Sequence, residues 1–83
     1  MTNWVEKLAK AIEKDGISYH GIIKINHLHI YLNEHDVDIS HENGDAGHSF
    51  HITIQEYQLL KDAISKCEQQ TAEYLIDQIM KLN

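Results

Sequence analysis

Seven histidines and thirteen carboxylates are the side chains of this 83-residue chain that could do chemistry. All seven histidines lie between His20 and His51, a stretch that also carries the acidic run Asp36-Val37-Asp38-Ile39-Ser40-His41-Glu42. Imidazole titrates near neutrality and ligates zinc or iron(II), and carboxylates either complete such a site or attract basic partners. Cys67 is the single thiol. No Gly-rich phosphate loop, Gly-x-Ser-x-Gly elbow or cysteine pair accompanies it, and its helical, apolar setting reads as core. The chain is therefore not expected to be an enzyme, and no cofactor is expected.

Two chemistries can be built on the acidic run. In a strand, alternate residues rise about 6.6 Å and point the same way, so Asp36, Asp38, Ser40 and Glu42 form a comb. That spacing is of the order of the separation between phosphates on a nucleic-acid strand, so the comb could act as a nucleic-acid mimic. The simpler reading is a solvated strand face whose charge discourages aggregation. Asp36-x-Asp38-x-Ser40 also begins like a calcium loop, but His41 replaces the required Gly and Gly47 the required Glu.

Whether the histidines converge depends on the elements that carry them. Trp4, Val5, Leu8, Ala11 and Ile12 have helical spacing, which predicts a helix over 3–15, capped by Thr2 or Asn3 and stopped by a left-handed Gly16. From Ile17 to Ile54 apolar residues alternate with polar ones, and the phase changes at Asn26-His27, at Glu34-His35 and across the loop 43–47. Strands are predicted at 17–25, 28–33, 36–42 and 48–54. With His41 opposite His48, the inner rows read Ile23-Ile30-Ile39-Phe50 and Gly21-Leu32-Val37-Ile52.

Beyond Ile54 the period becomes helical. Thr53 and Glu56 form a capping box, and nothing interrupts a helix over 54–82. Such a helix is longer than the strands. It either breaks near 68–71 or projects, presenting Leu75, Ile76, Ile79 and Leu82 to a second copy. The prediction is one α+β domain of two layers, α-β-β-β-β-α, with a four-stranded antiparallel meander and both helices on one face.

That register puts His29, Asp38 and His51 near one another on the outer face, the best set for a metal, although no metal site is expected. His41 and His48 would form a pH-sensitive pair at the inner rim. The same face gathers Ile22 and Tyr31 beside Asp36, Asp38, Ser40 and Glu42, an apolar centre with an acidic border.

Composition narrows the partners. Seven lysines and no arginine give a formal charge of −6, which disfavours direct binding of nucleic acid or anionic membrane and favours a basic protein. No apolar run is long enough to span a bilayer, and a lone cysteine suits a reducing compartment, so a cytoplasmic location is expected. The leading expectation is an acidic protein-binding module that regulates or inhibits a basic or nucleic-acid-binding partner. The alternatives are a histidine-based metal-binding protein and a structural homodimer without ligand. In size, charge and element order the chain is similar to the small inhibitors that phages and mobile elements encode against host nucleases, anti-CRISPR proteins among them. That likeness implies an inhibitory role and transfers no residue.

Overall fold

The computed structural model describes residues 3–44 and 47–82. Helix α1 (Asn3–Asp15) is followed by strands β1 (Ile17–Tyr19), β2 (Ile22–Ile25), β3 (Leu28–Leu32), β4 (Asp36–His41) and β5 (His48–His51), then by helix α2 (Ile54–Lys81). The strands pair antiparallel in chain order, a meander with β1 and β5 at its edges. Val5, Ala9 and Ile12 of α1 and Leu60, Ala63 and Cys67 of α2 pack on Ile23, Ile25, Ile30 and Val37, so both helices cover one face of the sheet. The class is α+β, as alternation followed by helical periodicity requires.

Five strands replace the expected four. The segment 17–25 is not one strand, because His20 (φ 49°) and Gly21 (φ 80°) both adopt the left-handed conformation that a two-residue hairpin turn demands. Ile17 consequently opposes Lys24, and Tyr19 opposes Ile22. The reversal moves Ile17 and Tyr19 from the inner face to the outer one and leaves Gly21 at the turn instead of opposite Leu32. Thr71 of α2 secures the reversed strand: the Ser18 N–H donates to Thr71 Oγ1 (3.2 Å), which itself donates to the Cys67 carbonyl (2.9 Å).

The next two hairpins are those expected from the phase changes. Asn26 takes a positive φ of 53°, Ile25 opposes Leu28, and Leu32 opposes Val37. The Asn33 N–H donates to the Asp36 carbonyl at 2.8 Å, closing the second turn. In the β4–β5 pair the register lies two residues from the expected one: Ile39 faces His48, Val37 faces Phe50 and Asp36 faces His51. An even shift keeps every side chain on its face. It sets the Phe50 ring 5.5 Å from that of Trp4, under α1. β5 stops at His51, short of the expected 54, where the Ile52 N–H bonds the His35 carbonyl (3.0 Å).

The expected caps of α1, Thr2 and the Asn3 side chain, lie outside the described residues, as do 45 and 46 of the loop. Gly16 ends α1, with its N–H on the Ile12 carbonyl at 3.0 Å, but without the positive φ expected of it. Its need is steric instead: an added Cβ would lie 2.5 Å from the Ile12 carbonyl oxygen and 3.0 Å from Cys67 Sγ.

At the start of α2 the capping box is complete. The Glu56 N–H donates to Thr53 Oγ1 (3.1 Å) and the Thr53 N–H to Glu56 Oε1 (2.8 Å). Thr53→Ala is expected to lose about 1 kcal/mol, lowering the thermal midpoint by roughly 4–8 °C in a domain of this size, as circular dichroism would record. The helix then runs 28 residues without the break considered at 68–71. At 1.5 Å per residue that is about 42 Å, against about 20 Å for the six residues of β4. Its last turns therefore overshoot the sheet, and every residue from Ala72 to Leu82 is exposed. No helix among the described residues is long and apolar enough to cross a membrane.

Candidate interaction face

With both helices on the inner face, the outer face of the sheet is uncovered. The extra hairpin extends its rows. Ile17, Lys24, His29 and Ser40 lie side by side in one row, and Tyr19-Ile22 joins Tyr31-Asp38-Ser49 in the next once the β2–β3 register is continued by one residue. Ile17, Tyr19 and Tyr31 are 57%, 61% and 50% exposed. The apolar centre expected from Ile22 and Tyr31 is thus enlarged by Ile17 and Tyr19. The missed signal was the His20-Gly21 dipeptide, where glycine permits a hairpin that plain alternation does not reveal.

Asp36, Asp38 and Ser40 occupy alternate positions of β4 as expected. The Asn33 side chain fixes the two acids: its Nδ2 donates to Asp36 Oδ1 (2.7 Å) and Asp38 Oδ2 (3.1 Å). Two half-buried negative charges are so held beside Tyr31, which opposes Asp38. Ser40 faces His29 and is approached by the returning loop, where a Cβ on Gly47 would lie 3.1 Å from Ser40 Cβ.

Glu42 keeps the side of Asp36, Asp38 and Ser40, its N–H on the His27 carbonyl at 2.8 Å, but its charge is engaged there. It follows the last residue of β4, and its carboxylate accepts from Lys24 Nζ at 3.0 Å, with His27 Nδ1 at 3.3 Å. The hydrogen bond from Lys24, then that from His27, hold this carboxyl below its usual value. A lowered folded pKa means that ionised Glu42 supports the fold above the ordinary carboxylate range, and the support is lost as pH falls through the lowered value. An NMR titration should place the Glu42 midpoint below 4.5 and move it upward in Lys24→Met. A midpoint unmoved in that variant would show that Lys24 does not hold it.

The histidines do not converge. The two-residue register shift puts His51 opposite Asp36 instead of Asp38, while His29 stays opposite Ser40 as expected. The set His29, Asp38 and His51 is therefore dispersed, and no group of three metal-ligating side chains among the described residues could hold an ion. The same shift separates His41 from His48, which faces Ile39, so the proposed pH-sensitive pair is not formed. Cys67 is fully buried, and burial pushes its thiol upward against the lowering effect of Thr71. A thiol in that state is a poor nucleophile. On the projecting helix, Leu75, Ile76, Ile79 and Leu82 are between 55% and 87% exposed.

Compared with protein-family models, curated proteins and solved structures, the chain matches none.

Proposed function

We propose that this protein is a non-catalytic binding module that docks its outer sheet face on a protein with a basic surface, as a regulator or inhibitor acting in the cytoplasm. The observation that carries this reading is the row Tyr19-Ile22-Tyr31, its tyrosines exposed on either side of a half-buried Ile22, which runs into Asp38, with Asp36 clamped beside it by Asn33. Aromatic anchors bordered by polar groups supply most of the energy of protein interfaces. Fixed carboxylates add steering and selection for a positive partner. A net charge of −6 acts in the same direction.

A nucleic-acid-binding protein is the basic partner best suited to two carboxylates spaced along a strand, and occupation of its phosphate-binding surface would inhibit it. The test is retention of a partner from the native host by the wild-type chain at low salt, with that partner lost in Asp36→Asn/Asp38→Asn and in Tyr31→Ala. Equal retention by all three chains would place the interface elsewhere.

A further inference from the structure

The projecting end of α2 carries a second apolar surface, separate from the sheet face. Leu60, Ala63 and Cys67 mark the side of α2 that meets the core. Ala72, Leu75, Ile79 and Leu82 centre about 100° further round the helix, at 3.6 residues per turn. Their apolar face is therefore not a frayed continuation of the core stripe. Among the described residues nothing covers it, since all residues from 72 to 82 are exposed.

At the root of this projection lies a cavity of about 290 Å³, lined by Gly16, Ile17, Gln70, Thr71, Tyr74 and Leu75. Gln70 and Tyr74 lie toward the core side of α2, so the cavity opens beside the apolar face, and only its Thr71–Leu75 wall borders that face, two turns back from Leu82. We infer that the face is covered by the same segment of a second copy, packed antiparallel, with Leu82 of each copy seated at the Thr71–Leu75 wall of the other.

Three observations favour a second copy in this orientation. The spacing of Ala72, Leu75, Ile79 and Leu82 is three, four, three, which reads the same in both directions, so an antiparallel twofold sets Leu75 on Ile79 and small Ala72 on Leu82. Glu73, Asp77 and Lys81 lie away from this face, Thr71 and Gln78 border it on one edge and Ile76 on the other, and the register that sets Ala72 on Leu82 leaves Glu68, one turn before Ala72, at the end of the seam. Pairing consequently buries no charge, and the antiparallel arrangement keeps two bodies of charge −6 at opposite ends with their helix dipoles opposed. Finally, Leu75, Ile79 and Leu82 are 55%, 61% and 87% exposed, so pairing would take one continuous apolar strip of each copy out of water.

Sedimentation equilibrium of the full chain should give a concentration-dependent mass reaching twice 9.6 kDa. Leu75→Glu and Ile79→Glu should raise the dissociation constant by roughly 100-fold or more, with folding unchanged by circular dichroism because both positions lie outside the core. Orientation is read by mixing the single variants Ala72→Cys and Leu82→Cys under oxidation. The mixed 72–82 disulfide is expected. A monomer at every concentration, or a dimer indifferent to Ile79→Glu, would overturn the pairing, and predominant 82–82 disulfide would overturn its direction. None of these readings depends on the outer sheet face, so they stand or fall apart from the function proposed for it.

Discussion

Gly16→Ala is expected to destabilise the fold by about 2 kcal/mol, in the range found for overpacked cores, and to lower the thermal midpoint by roughly 8–16 °C. The added methyl would lie 2.5 Å from the Ile12 carbonyl oxygen, 3.0 Å from Cys67 Sγ and 3.1 Å from Ile23 Cγ2. The first of these is backbone. It already accepts the Gly16 N–H at 3.0 Å, so relief would disturb the last turn of α1. The other two belong to buried side chains of α2 and β2, which converge on this one residue. Gly16→Asn separates this cause from a conformational one. Asparagine tolerates a left-handed φ, so it would rescue a capping glycine, whereas at this crowded site it should be at least as damaging as alanine. Urea unfolding of both variants provides the measurement, and an alanine variant of wild-type stability would refute the packing account.

Tyr31→Ala should weaken partner binding by roughly 30-fold or more, the effect of removing an aromatic anchor worth about 2 kcal/mol. The ring is half exposed on the outer face, away from the buried core, so folding should be preserved. Asp36→Asn/Asp38→Asn should instead act chiefly on the association rate and flatten its dependence on salt, because fixed charges steer the encounter and are screened by ions. Glu42→Gln should change binding little, since Lys24 and His27 already engage that carboxylate. Stopped-flow association rates together with calorimetric titration, each at two salt concentrations, distinguish the three. If Tyr31→Ala bound like the wild type, the outer face would not be the interface.

These expectations show which parts of the site were legible before folding. The alternation in β2, β3 and β4 assigned Tyr31, Asp36, Asp38 and Ser40 to one face, because side-chain direction in a strand has a strict period of two. The phase changes located the turns at 26–27 and 34–35, and Thr53 with Glu56 located the start of α2. Glu42 was assigned to the comb by the same parity. It keeps that side, with its N–H on the His27 carbonyl, but Lys24, 18 positions away in sequence, draws the carboxylate to itself and leaves only Asp36 and Asp38 as unneutralised acids of the comb. Asn33 was not foreseen as the clamp on Asp36 and Asp38, since a turn asparagine has several backbone and side-chain partners within reach.

What the sequence determined by itself was local: strand parity, two of the hairpins, the capping box and the mismatch between a 28-residue helix and short strands. Tertiary structure alone decided what depended on distant partners. The β5 register, which parity permits to shift by two, is the one that brings Phe50 against Trp4 of α1. Thr71 received the reversed β1, bringing Ile17 and Tyr19 onto the outer face. Cys67 and Ile23 made Gly16 a matter of space and not of φ. Periodicity specifies the direction in which each side chain points, whereas register, reversal and close approach are selected by the long-range contacts they create.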